Sequence, residues 1–139
     1  LKQDPTLVVT QQACPMWVPL IEAGEHLSEG ADYFVEKYLN ELLARDHEID
    51  TIILGCTHYP LLQAKIEQYL TTTHRNIAVV AQGEIVASSL ADYLQRHTEI
   101  KQDIRNGICR FLTTESASKF AESASLFLSE PIEATHIEL

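Results

Sequence analysis

The chain has 139 residues, 45% of them hydrophobic, with twenty acidic residues against ten basic ones for a formal net charge of -10. That length is enough for one domain with its own core. No apolar run reaches a membrane span, no N-terminal stretch reads as a secretory signal, and the acidic balance excludes a nucleic-acid-binding surface while leaving small anionic substrates open.

Residues 6–10 (TLVVT) are short, β-branched and apolar, and predict a strand. A short helix is expected over 16–26, entered through Pro15. From Ala31 the apolar positions Phe34, Val35, Tyr38, Leu39, Leu42 and Leu43 fall at i, i+3, i+4 spacing, with Ser28 as N-cap. TIILG at 51–55 is a continuous apolar run, of the kind buried on both faces of a parallel sheet. A helix follows from Pro60 to Leu70, with Leu62, Ile66, Tyr69 and Leu70 on one stripe. IAVVA at 77–81 is the next strand. A helix over 84–97 turns Ile85, Val86, Leu90 and Leu94 inward. The polar stretch 98–107, which ends in Asn-Gly, reads as a loop. A strand is expected at 108–113. Next come a helix over 115–128, facing inward through Ala117, Phe120, Ala121, Ala124 and Phe127, and a last short strand at 134–138. Strands alternating with helices define an α/β class, a parallel sheet flanked by helices. Pattern alone sets no domain boundary.

In such sheets ligands bind beyond the carboxyl ends of the strands. Gly55-Cys56-Thr57-His58-Tyr59-Pro60 stands there, after the strongest strand. Gly55 permits a tight backbone, and Pro60 pushes Tyr59 out of helical geometry and opens the next helix. Cys56 then lies on a turn near a helix N-terminus, a position that favours a thiolate. Thr57 and nearby N–H groups can hold a carboxylate, and His58 can move a proton near neutral pH. An inert, buried cysteine at a strand–helix corner is the competing reading. The stretch from Ala13-Cys14-Pro15 to Glu22 follows the first expected strand and lies on the same rim. Cys14 and Cys56 invite a two-thiol pairing, and Glu22 is either a carboxylate near the site or a solvated helix residue. Cys109 falls inside an expected strand and reads as core. The Met16-Trp17 pair reads as packing, and the remaining histidines as surface. Three cysteines without a secretory signal imply a reducing compartment and no disulfide framework, and no cysteine–histidine spacing suggests a metal site.

Two blocks carry a resemblance. Leu54-Gly55-Cys56-Thr57-His58-Tyr59-Pro60-Leu61-Leu62 resembles the second-cysteine motif of glutamate racemases. Ala13-Cys14-Pro15 with Val18-Pro19-Leu20-Ile21-Glu22-Ala23-Gly24 resembles the block preceding it. The likeness continues weakly through Phe111-Leu112-Thr113-Thr114 to the end. It implies a fold of two pseudosymmetric α/β lobes, with one catalytic cysteine from each. One thiolate removes the α-proton of glutamate, and the other thiol returns a proton to the opposite face. No cofactor is needed, and the D-glutamate formed goes into peptidoglycan in the cytoplasm. By position Cys56 is the second-lobe catalytic cysteine, Thr57 contacts substrate, His58 assists proton transfer at Cys56, and Glu22 supports that region. Cys14 is then not a catalytic base.

The resemblance also places the chain. Residues 1–82 correspond to most of the second lobe, lacking its first strand and helix, and 83–139 to a segment that returns to the first lobe. The first-lobe blocks are missing, the chain opens at Leu1 rather than methionine, and Gln82 stands where many members have aspartate. With one of two cysteines present, the 139 residues are expected not to racemise glutamate, because base and acid must act on opposite faces. The exposed lobe interface is expected to drive homodimerisation or other self-association. The other readings are a racemase for another acidic amino acid, a cysteine-dependent isomerase or decarboxylase on the same fold, and a non-catalytic binding module. A Cys–His hydrolase is weaker, since no third orienting residue is apparent in the sequence.

Overall fold

The computed structural model describes residues 4–101 and 109–139. It divides into two compact units, Leu1–Gln82 and Gly83–Leu139.

In the first unit, α1 (Trp17–Glu22) leads to α2 (Glu29–Arg45) and then to strand β1 (Thr51–Leu54). A 3-10 turn over Tyr59–Leu62 runs into α3 (Gln63–Thr72), and β2 (Ala78–Ala81) lies parallel to β1 in register Thr51 to Ala78 through Leu54 to Ala81. The cap expected at the head of α2 is present: Ser28 Oγ accepts from the Ala31 N–H at 3.3 Å. The stripe along α2 buries Val35, Tyr38, Leu39, Leu42 and Leu43. These pack with Trp17, Ile21, Ile52, Leu54, Leu62, Ile66 and Leu70 into a single core. α3 supplies Ile66 and Leu70 at i, i+4, as its spacing predicts.

Four expectations fail here, each for a physical reason. Residues 7–10 form no strand, and Val8 is 84% exposed. β-branched composition reports fit to a half-buried pleated surface, and among the described residues β1 pairs with β2 alone. β1 is covered on one face only: Ile52 and Leu54 are buried, while Ile53 is 64% exposed. The first helix stops at Glu22 instead of continuing to 26. Gly24 takes a left-handed φ of 73°, with Gly24 N–H donating to Ile21 O and Glu25 N–H to Leu20 O. This paired closure caps the last carbonyls and ends the helix. Tyr59, expected outside helical geometry, opens the 3-10 turn, with Pro60 at an early position where a missing N–H loses no partner.

The second unit holds α4 (Gln82–Arg96, which begins on the boundary), the single turn α5 (Thr98–Lys101), β3 (Phe111–Thr113), α6 (Ala117–Leu128) and β4 (Ala134–His136). β3 and β4 pair in parallel. Ser116 caps α6, its Oγ accepting from Lys119 N–H at 3.5 Å. Residues 98–101, expected as loop, form a helical turn; the rest of that loop and the first residue of the expected 108–113 strand lie outside the described residues. Cys109, expected inside that strand and in the core, precedes β3 and is exposed. Of the inward face expected of α4, Leu94 is partly buried, whereas Ile85, Val86 and Leu90 are each more than half exposed. Of the inward face expected of α6, Ala117, Ala121 and Ala124 are half-buried, whereas Phe120 and Phe127 are exposed.

The architecture is α/β with parallel strands and helices beside them. Among the described residues no helix is long and apolar enough to cross a membrane.

Candidate active site

The turn at the carboxyl end of β1 carries Cys56, Thr57 and His58. It is closed by Tyr59 N–H donating to Cys56 O at 3.2 Å and Leu61 N–H to His58 O at 3.1 Å. Cys56 and His58 are half-buried, and Thr57 is exposed. Gly55 does not use its conformational freedom: its φ is not left-handed, and a Cβ there would meet nothing within 4 Å. The glycine leaves open space beside Cys56 rather than relieving a tight backbone.

His58 is the hub. Its Nε2 lies 2.5 Å from Glu22 Oε1, a contact that spans 36 residues and joins the end of α1 to the turn. Its Nδ1 lies 3.9 Å from Cys56 Sγ and 3.4 Å from Thr57 Oγ1. A carboxylate only accepts, so Nε2 carries the proton shared with Glu22. In the neutral ring Nδ1 is then the acceptor facing the thiol. Cys56 Sγ–H and Thr57 Oγ1–H are the donors within reach of it. Glu22, at the solvent-facing end of α1, is the carboxylate that meets the far side of the His58 ring. The four residues singled out from the sequence, Glu22, Cys56, Thr57 and His58, stand together in one unit.

Cys14 stands apart in character. It is buried, and its Sγ donates to Gln12 O at 3.7 Å. Burial, helped by the nearby Glu41 carboxylate, pushes its thiol up to about 11. At neutral pH it is protonated, which does not suit a base. Cys14 thus belongs to the buried core and is not among the side chains that contact His58 in the contacts above.

Aromatic rings beneath the turn carry more than the sequence alone indicated. Trp17 packs edge-on against Tyr59 (centroids 4.7 Å, 83°) and Tyr38 (6.0 Å, 67°). Burial first, and then the neighbouring Cys14, Cys56 and Tyr38 groups, hold the Tyr59 phenol above its ordinary range, so it stays neutral. The signal was present, since Trp17 and Tyr59 fall inside the two singled-out blocks. Among the described residues no three His, Cys, Asp or Glu side chains are grouped to hold a metal ion.

No protein-family model matches the chain. It is 36% identical over 137 residues to a glutamate racemase of a Thermoanaerobacter species, covering 98% of this chain and 50% of the relative. Its fold superposes on a crystal structure of a glutamate racemase isoform from Bacillus anthracis with a TM-score of 0.82 and 33% identity, over 99% of this chain and 50% of that one. By sequence and by fold the chain matches one half of glutamate racemases. It spans about half the length of the relatives it matches. A second neighbour, the glutamate racemase of Francisella tularensis in complex with D-glutamate, superposes with a TM-score of 0.79 and 25% identity, over 99% of this chain and 49% of that one. The α/β class expected from strand–helix alternation is that of these structures.

Proposed function

We propose that this chain supplies one of the two proton-transfer groups of a glutamate racemase, with Cys56 as that group. The observation that carries the reading is the Glu22–His58–Cys56 line. His58 Nδ1 accepts the proton of the Cys56 thiol, and Glu22 holds the opposite N–H so that the imidazolium formed keeps its orientation. The thiolate then takes the α-proton of glutamate, and the S–H it forms is the donor in the reverse direction. Thr57 Oγ1, exposed beside the sulfur, binds a substrate carboxylate. The open space over Gly55 lets the substrate approach the thiol closely. Protonation on the opposite face needs a second group, which in this reading belongs to the rest of a full-length enzyme. Bonds to carbon are broken and remade at hydrogen only, so no net oxidation or reduction occurs.

In the same reading residues 1–82 are most of the second lobe and 83–139 the segment that returns to the first. The enzyme is cytoplasmic and needs no cofactor, and its D-glutamate serves peptidoglycan. The D-glutamate held by the Francisella relative supports this substrate. Exposed apolar side chains such as Ile53 and Leu90 support self-association of the 139 residues.

The test is a chimaera in which these residues replace the matching half of the Thermoanaerobacter relative. Exchange of the glutamate α-proton is followed in D₂O by NMR, with aspartate in parallel. Inversion of glutamate is expected, with Cys56→Ala reducing it by about 10² to 10⁴-fold. The 139 residues alone are expected to give no inversion. Full activity in Cys56→Ala sinks the assignment of Cys56, and exchange of aspartate in place of glutamate reassigns the substrate.

A further inference from the structure

α1 is six residues long and has no side-chain N-cap and no charged residue at either end that would favour its dipole. A helix this short does not hold itself together in water. Yet its last residue, Glu22, must meet His58 at 2.5 Å from an otherwise solvent-facing position. Something must fix the height and rotation of α1 against the Cys56 turn.

Two side chains of α1 are buried, Trp17 and Ile21. Trp17, only 3% exposed, makes directional contacts with both neighbours. Its Nε1–H donates to Phe34 O of α2 at 3.3 Å, its ring meets Tyr38 of α2, and it stands edge-on to Tyr59, the residue after His58. Glu22 lies five residues on, more than one turn further along the same helix. Trp17 therefore grips one end of the lever whose other end is Glu22, and grips it against the backbone that carries His58.

We propose that Trp17 is a positioning residue for the Glu22–His58 pair: through Tyr59 and Phe34 it sets where α1 sits on the turn, and so which way the His58 ring faces Cys56. The inference rests on the proton-transfer reading above and adds to it a residue that touches neither substrate nor the reacting sulfur. An edge-to-face ring pair has a preferred tilt that an aliphatic contact lacks, because the positive edge of one ring meets the negative face of the other. Leucine in place of Trp17 would still fill part of the core but would not hold the tilt.

The experiment uses the 139-residue chain with Cys109→Ser, which removes the other accessible thiol. The rate of Cys56 alkylation by iodoacetamide is measured from pH 6 to 10. Glu22→Gln removes the carboxylate and is expected to lower the rate near neutral pH several-fold and to change the shape of the profile. Trp17→Leu is expected to give the same profile, the double variant no further change, and Trp17→Phe, which keeps a ring against Tyr59, a profile near that of the parent. Should Trp17→Leu fail to fold, Tyr59→Leu removes the same ring contact from the other side and is read against the same profile. A parent-like profile in a folded Trp17→Leu or Tyr59→Leu, or an additive double variant, overturns the inference while a shifted Glu22→Gln profile leaves the proton-transfer reading standing. A parent-like Glu22→Gln profile removes the relay itself, and the role of Trp17 in it falls too.

Discussion

The two units differ in what their apolar faces meet. In Leu1–Gln82 the stripes of α2 and α3 close on one another and on β1, and among the described residues every fully buried large side chain lies there: Ile21, Val35, Leu39, Leu62 and Ile66. In Gly83–Leu139 the apolar stripe of α4 is as regular, yet none of its residues is buried among those described, and the same holds for α6. Amphipathic spacing states that a helix has a face to cover; it does not state with what. The candidate site belongs to the unit that completes its own core, where a short helix such as α1 can be held against a turn firmly enough to align two side chains.

The largest expected difference between the units is in the response to truncation. Ile66→Ala removes a side chain with no exposure at the centre of the first unit. It is expected to cost about 2–5 kcal/mol, the range for large-to-small changes in a packed core. Leu90→Ala on α4, 53% exposed, is expected to cost under ~1 kcal/mol, because little transfer energy or cavity is at stake. Urea unfolding at low protein concentration reads both. A cost for Leu90→Ala that matches Ile66→Ala, or that grows with protein concentration, would break the comparison and show the α4 face to be covered in solution.

That contrast also sorts what the sequence could tell. Local rules were legible wherever the chain satisfies itself. Ser28 announces α2, the i, i+3, i+4 set marks its buried side, and Ile66 and Leu70 mark that of α3. Gly24 was a legible stop for α1, a left-handed residue after the last turn, but apolar spacing alone ran the helix past it. Rules that depend on a neighbour misled. TLVVT at 6–10 has strand composition with no ladder to join, and TIIL has the composition of a doubly covered strand with only one face covered. Cys109 reads as core because it falls inside an expected strand, but it stands before β3 and is exposed. At the site, Cys56, Thr57 and His58 are neighbours in the chain and could be read as a group. Glu22 is 36 residues away from His58, and composition and spacing alone left it as a solvated helix residue. Only the family resemblance placed it nearby.

The cysteines sharpen the comparison next. Cys14 is buried in the first unit, and Cys109 is exposed in the second. Burial raises the Cys14 thiol from an ordinary 9.0 to about 11, which cuts its thiolate at pH 8 about a hundredfold. Alkylation followed by mass spectrometry should modify Cys109 at least about a hundredfold faster than Cys14. The sign for stability follows from proton binding. Between pH 9 and 11 the unfolded chain has released the Cys14 proton and the folded chain keeps it. The stabilisation is complete below the unfolded value and is lost as pH rises through about 11. A Cys14→Ala variant should lose that share of the alkaline limb and keep the share that the raised Tyr59 phenol contributes. Equal alkylation rates would show that the first unit opens around Cys14 as readily as the second exposes Cys109.

The smallest effect concerns two strained helix ends. α3 closes through His74 at φ 54°, with His74 N–H donating to Thr71 O and Arg75 N–H to Leu70 O. α6 ends on Ser129 at φ 56°. Both use a left-handed backbone that glycine adopts without steric cost, although glycine also loses more entropy on folding. The net gain expected from His74→Gly is therefore about 0.5–1 kcal/mol. Because α3 anchors Ile66 and Leu70 in the core, that gain should appear in the global unfolding of the first unit. Ser129→Gly relieves similar strain, but α6 buries nothing among the described residues, so its gain should be confined to local protection of the α6 amides in hydrogen exchange. If Ser129→Gly instead raises the midpoint of global unfolding as much as His74→Gly does, α6 is coupled to a cooperative core, and the second unit is more complete in solution than its exposed faces imply.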